Sequence, residues 1–328
     1  VSAKGGTGLH PGGTVSADWR YRALVISVLL AALGYLAFAV YSGWREVWAA
    51  VAQVGVIGLG FALCLSLTNY TLRFMRWQVY LRVLGHQISW PTSLRIYLAG
   101  FALTTTPGKA GEAIRGVLLK RLSVPYPDSF AAILSERLSD LVAIVLLTLF
   151  GLALYPKTAP LIILGAGLAT LLLALVSQSR LITCLHRRIP APLQRKWWIA
   201  NSMETLYQAS RCHQPTTLAW ATILSLVGWA AEAFAFFLIL HWMGLDVTLV
   251  FAVFVFAVSM LAGALSFTPG GLGSTEGVMA GLLVWHGVGL PEAVAATVLI
   301  RATTLWFAVV LGIASILCSK NHLEIQSS

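Results

Sequence analysis

Several charged side chains of this 328-residue chain stand inside apolar runs, where each needs a reason to be there. In Ser135-Glu136-Arg137-Leu138-Ser139-Asp140, Glu136 and Asp140 are one helical turn apart and Arg137 lies three residues before Asp140, which places all three on one side of a helix. Arg301 closes another apolar run, and Glu232 interrupts a third. Two Pro-Gly breaks complete the set. Thr106-Pro107-Gly108-Lys109-Ala110-Gly111 leads into Glu112 and Arg115; Thr268-Pro269-Gly270-Gly271-Leu272-Gly273 leads into Glu276. A Pro-Gly turn that opens a helix presents free backbone N–H groups and the positive end of the helix dipole. Such an end suits a phosphate or carboxylate, with Gly108, Lys109, Arg115, Gly270, Gly271 and Gly273 as its lining. The plainer reading is that Pro and Gly serve only to reverse the chain tightly. Likewise Arg137 and Arg301 either line a substrate path or are held by carboxylates to lock helices together. Glu112 and Glu276 either pair with these arginines or bind a coupling proton, and Glu232 has the same two readings.

The elements that position these groups follow from composition. Hydrophobic residues make up 58% of the chain and charged residues 10%, with a mean hydropathy of +0.81. A soluble domain of this size needs more charge to cover its surface. The apolar runs are continuous rather than alternating, which excludes an outer-membrane barrel. The expectation is an all-α integral membrane protein with six full spans, at 22–41, 48–72, 126–155, 158–179, 216–243 and 290–318. Two further stretches, 91–121 and 247–288, carry the Pro-Gly breaks. Unpaired backbone groups at membrane depth are tolerated only against protein or a water-filled cavity, so both read as re-entrant helical hairpins, although 247–267 alone is also long enough to span. Residues 1–19 read as a flexible tail, 20–320 as one membrane domain and 321–328 as a C-terminal tail.

Charge placement sets the orientation. The net charge of +10 does not point to nucleic acid, because the Lys and Arg cluster beside the spans. With the N-terminus inside, 18 of the 22 positive residues are cytoplasmic and only Arg45 and Lys157 lie outside; Arg137 and Arg301 fall within spans. Both termini are therefore expected in the cytoplasm of a bacterial-type inner membrane. Arg137 would stand about ten residues into its span, roughly 15 Å deep. Inserting one such charge costs roughly 2.5–3.5 kcal/mol, so it must face protein, water or substrate.

An internal repeat emerges when 127–137 (PDSFAAILSER) is set over 291–301 (PEAVAATVLIR). Pro127 meets Pro291, Asp128 meets Glu292, Ala131 and Ala132 meet Ala295 and Ala296, and Arg137 meets Arg301. TPGKAG at 106–111 likewise resembles TPGGLG at 268–273. The repeat cores are 91–155 and 247–318. Three spans separate the hairpins, so the first enters from the cytoplasm and the second from outside, an inverted-topology repeat.

Other signals exclude alternatives. Cys64, Cys184, Cys212 and Cys318 lie on spans or the cytoplasmic side and suggest no disulfide framework. Cys184, His186, Cys212 and His213 fit no standard zinc spacing. No Walker loop, Ser-His-Asp set or His-rich helix is present, so no cofactor or metal is expected. Segment 181–213, with Trp197 and Trp198 among basic residues, reads as an amphipathic helix on anionic lipid. Arg73, Arg76 and Arg82 read as snorkelling anchors at the end of a span.

TPGKAGEAIR at 106–115, SERLSD at 135–140 and TPGGLGSTEG at 268–277, with Arg301 after them, resemble the lysylphosphatidylglycerol synthase transmembrane (flippase-like) family from about residue 20 onward. That resemblance implies flippase-type activity without ATP hydrolysis on an anionic phospholipid or a polyprenyl-type glycolipid. The chain ends at Ser328, so the soluble aminoacyl-transferring domain is not expected, nor is lipid synthesis. Implied partners are membrane lipid, a second copy of the chain or a lipid-synthesising enzyme. Two other classes stay open: a membrane-embedded transferase or hydrolase using Glu136 and Asp140 as acid and base, and a non-transporting partner of a cell-envelope synthase.

Overall fold

The structure, a computed structural model, describes residues 44–106, 110–152, 159–178, 196–266 and 268–325, with 183–184 and 187–188. All secondary structure among them is helical: α1 (Trp44–Val83), α2 (Trp90–Ala99), a 3-10 turn (Gly100–Leu103), α3 (Ala110–Arg121), α4 (Tyr126–Leu152), α5 (Ala159–Ser177), α6 (Trp197–Cys212), α7 (Pro215–Trp242), α8 (Leu249–Leu265), a 3-10 turn (Pro269–Gly271), α9 (Ser274–Trp285), α10 (Leu290–Arg301), a π turn (Ala302–Trp306) and α11 (Phe307–Ile325). Among the described residues three helical stretches are long and apolar enough to cross a membrane: Val47–Val83, Pro215–Trp242 and Leu290–Cys318. The expected span 22–41 and the tail 1–19 lie outside the described residues. The helix of α11 runs on to Ile325, into the stretch expected to be a tail.

Helix ends follow local chemistry. Proline stands in the first turn of α2, α4, α7 and α10, where its missing N–H costs nothing. α1 closes where the His86 amide donates back to the Leu81 carbonyl (2.8 Å) across Gly85 in the left-handed region (φ 92°). α3 and α9, the return legs of the two breaks, close the same way: Val124 N donates to Leu119 O and Val288 N to Leu283 O. The left-handed position is Gly287 in α9 but Ser123 (φ 64°) in α3.

α1 differs from its expected span. Instead of ending at residue 72 it continues as one helix to Val83, with a break in helical geometry at Gly55. The reason is a buried stripe at helical spacing, Tyr70, Phe74, Trp77, Tyr80, Leu81, that carries the helix past its first arginine.

The buried apolar residues form two main clusters. One joins the first half of α1, to Ala62, with α7, α8, α9 and α10. The other joins the second half of α1, from Tyr70, with α2, α3 and α4 and parts of α6, α7 and α11. Between them α1 buries Ser66 and Asn69.

Each broken segment folds back on itself through small residues. A Cβ on Gly111 of α3 would overlap the carbonyl oxygen of Gly100, and one on Gly263 of α8 would overlap the Thr275 hydroxyl of α9. The two breaks then meet. A Cβ on Gly270 would stand 3.5 Å from both the Thr104 carbonyl oxygen and the Thr105 methyl group.

A candidate buried charge relay

Where the two apolar clusters meet, arginines and carboxylates form a connected set. Asp140 of α4 is its hub. Its Oδ1 accepts from Arg76 Nη1 (2.7 Å) and Trp229 Nε1 (3.1 Å), and its Oδ2 from Arg73 Nη2 (3.2 Å). Arg76, fully buried, also donates to the Ser225 hydroxyl of α7, and its Nη2 lies 3.8 Å from Glu136 Oε1. Glu136 Oε2 accepts from Arg115 Nη1 (2.9 Å). The Arg115 guanidinium lies 4.2 Å from the Tyr97 ring centre, with Trp77 and Phe101 also around it, an aromatic cage that replaces some of the hydration it has lost. Gly100 is required here, because a Cβ would run into the Arg115 side chain.

The second half mirrors this with signs exchanged. In the first, an arginine on the short helix after the break (Arg115) holds a carboxylate on the next helix (Glu136). In the second, a carboxylate after the break (Glu276) holds an arginine on the next helix (Arg301), at 2.6 Å between Oε1 and Nε. Glu276 Oε2 also accepts the Gly273 N–H (2.7 Å), which caps α9, and Arg301 Nη2 donates to the Gly270 carbonyl (2.6 Å). Arg301 thus ties the second break to α10. Tyr70 of α1 reaches the same region, its hydroxyl donating to the Thr304 carbonyl in the π turn.

Several donors in this set are left over. The Nε groups of Arg73, Arg76 and Arg115 and the Nη2 of Arg76 are buried without an acceptor. Glu232 of α7 is 5% exposed and has neither a hydrogen bond nor an ion pair among the described residues, though Arg73 and Arg301 both act on it electrostatically.

Arg115, Glu136 and Asp140 come together in one half, and Gly270, Gly271, Glu276 and Arg301 in the other. Gly108 and Lys109 lie outside the described residues, as does the side chain of Glu112. Arg137 is exposed, whereas Glu136 and Asp140 beside it are buried, and it acts electrostatically on Asp140. One residue is a 100° rotation about a helix axis, enough to take Arg137 off the face that carries the two carboxylates. For Arg73 and Arg76 the expectation is corrected. They are not terminal anchors but members of the buried set, inward because α1 does not stop before them. Their i, i+3 spacing within the Tyr70–Leu81 aromatic stripe was the available signal.

The site residues all lie within residues 23–312, which match the family described as the lysylphosphatidylglycerol synthase TM region. The chain belongs to this family. Among relatives, a UPF0104 membrane protein of Methanothermobacter thermautotrophicus is 26% identical over 318 residues, covering 89% of this chain and 91% of its own length. Another UPF0104 membrane protein, from Pyrococcus horikoshii, is 23% identical over 297 residues, 81% of this chain and 86% of the relative. A partial likeness, 29% over 133 residues, links 40% of the chain to 20% of the glycosyltransferase AglD of Haloferax volcanii. Family membership and the apolar helices together make this a multi-pass membrane protein.

Proposed function

We propose that this member of the lysylphosphatidylglycerol synthase TM family is a flippase or scramblase, carrying an anionic phospholipid or a polyprenyl-type glycolipid headgroup across the cytoplasmic membrane without ATP hydrolysis. The observation that carries this reading is the meeting of the two breaks beside a buried charge relay. A headgroup needs a polar route through an apolar layer, and in this family member that route runs from Arg115 past Arg76 and Arg73 to Arg301. The unsatisfied guanidinium N–H groups are donors suited to phosphate. Gly108, Lys109, Glu112 and the exposed Arg137 complete the proposed lining. In this reading the breaks are re-entrant hairpins of an inverted repeat, entered from opposite faces, with both termini in the cytoplasm.

The enzyme reading is less well supported by the geometry. Glu136 and Asp140 are each ion-paired with arginine, an arrangement suited to fixing charges in place rather than to moving protons. The partial likeness to a glycosyltransferase bears on the substrate class and keeps glycolipid within it. The test is reconstitution into phosphatidylcholine vesicles with a trace of fluorescent phosphatidylglycerol. Extraction by external albumin should reveal exchange from the inner leaflet faster than in protein-free vesicles, unchanged by ATP. Strict dependence on ATP, or a rate equal to that of empty vesicles, would refute the proposal.

A further inference from the structure

Among the described residues the buried carboxylates Asp128, Glu136, Asp140 and Glu276 each have a basic side chain within ion-pair reach. Glu232 has none. The groups that face it come from three of the four helices packed on α7: Tyr70 and Arg73 on α1, Asp140 on α4 and Arg301 on α10. The fourth, α8, has no ionisable side chain along Leu249–Leu265. Arg73 is engaged by Asp140, and Arg301 by Glu276 and Gly270. An ionised Glu232 would therefore be a largely buried charge with no donor on it among the described residues. Two flanking guanidinium groups also repel a metal cation, and no acid or histidine cluster able to hold one occurs among the described residues.

We infer that Glu232 is a proton-binding site, protonated in this conformation, whose proton is taken up and released in step with an anionic headgroup. The inference rests on the transport reading above and assigns its coupling. Among the described buried side chains, with Glu232 neutral, Arg73, Arg76, Arg115 and Arg301 face three carboxylates, Glu136, Asp140 and Glu276, a surplus of one positive charge, and the exposed Arg137 acts on Asp140 in the same sense. A monoanionic headgroup neutralises that surplus, using donors on Arg73 and Arg76 that have no acceptor. Ionising Glu232 neutralises it as well. Headgroup and carboxylate charge thus compete for the same surplus, so binding one proton and binding one headgroup favour each other. No covalent step is involved beyond transfer of a proton to and from the carboxylate.

The experiment compares wild type and Glu232→Gln in phosphatidylcholine vesicles bearing fluorescent phosphatidylglycerol or, separately, fluorescent phosphatidylcholine. Wild-type exchange of phosphatidylglycerol should accelerate as pH falls from 8 to 6, by up to about tenfold per unit, the limit for one linked proton. Exchange of phosphatidylcholine should not follow that profile, and Glu232→Gln should flatten it for phosphatidylglycerol. A second measurement needs no variant: adding phosphatidylglycerol to the detergent-solubilised wild type in weak buffer should take up about one proton per lipid bound. A flat wild-type profile with exchange intact, an unchanged profile in Glu232→Gln, or binding without proton uptake overturns this inference alone. Exchange of neither lipid at any pH overturns the transport reading itself.

Discussion

Arg76 and Arg137 show how differently two arginines can be used within one site. Arg76 has no exposed surface and contacts Asp140, Ser225 and the edge of Glu136. Removing it leaves two acids sharing the remaining arginines, and breaking a buried pair in this way costs about 3 kcal/mol or more. Arg76→Gln should therefore lower the thermal unfolding midpoint markedly, and adding Asp140→Asn should recover part of the loss. Arg137 is exposed, and Arg137→Gln should cost under about 1 kcal/mol in the same assay. If it lines the path, that variant should nevertheless slow exchange of phosphatidylglycerol more than of phosphatidylcholine. Equal, large destabilisation by the two single changes would mean that the exposed and buried positions are not distinct in the folded protein.

At the scale of elements, the short helices after the breaks decide the topology. Single cysteines at Ala110 and Ser274, in a background lacking Cys64, Cys184, Cys212 and Cys318, should react with a membrane-impermeant maleimide from opposite faces of the membrane. Reaction from one face only would remove the inverted repeat. The junction of α6 and α7 carries a second prediction. His213 is buried, its Nδ1–H donating to the Ala209 carbonyl (2.7 Å) while Nε2 has no partner. Burial holds its pKa below the ordinary histidine value of 6.5. The unfolded chain then binds the proton more readily than the folded one, so this contribution to stability is complete above about pH 6.5 and is lost as pH falls below it. Unfolding midpoints measured between pH 7.5 and 5.5 should drop less steeply in His213→Gln than in the wild type. The same junction holds Cys212, fully buried, whose pKa is pushed up to about 12 by desolvation; it stays a thiol at working pH.

For the whole molecule, the consequential contact is that between the two breaks, far apart in sequence. With Gly270 and Thr105 this close, Thr105→Cys with Gly270→Cys should form a disulfide on mild oxidation. A side chain at Gly270 (φ 62°) adds local strain of about 1–2 kcal/mol, which the fold should tolerate. If lipid passes between the breaks, oxidation should stop exchange and reductant should restore it. Full activity in the cross-linked protein would move the path elsewhere.

Hydropathy and Pro-Gly punctuation are local properties, and so the all-helical membrane class and the interruption of two apolar segments were legible in the residues alone. So was the candidacy of Glu136, Asp140, Glu232, Glu276 and Arg301, since a charge in an apolar run stands out whatever surrounds it. Tertiary structure decided which charges meet. Whether Arg73 and Arg76 end a helix or enter a core depended on an aromatic stripe finding its partners on α2, α3 and α4. Whether Arg137 turns inward depended on the rotation of α4 about its own axis, which its neighbours set. The exchange of signs between Arg115–Glu136 and Glu276–Arg301, and the isolation of Glu232 between them, arise from packing between segments many residues apart, and no local pattern encodes a distance of that kind.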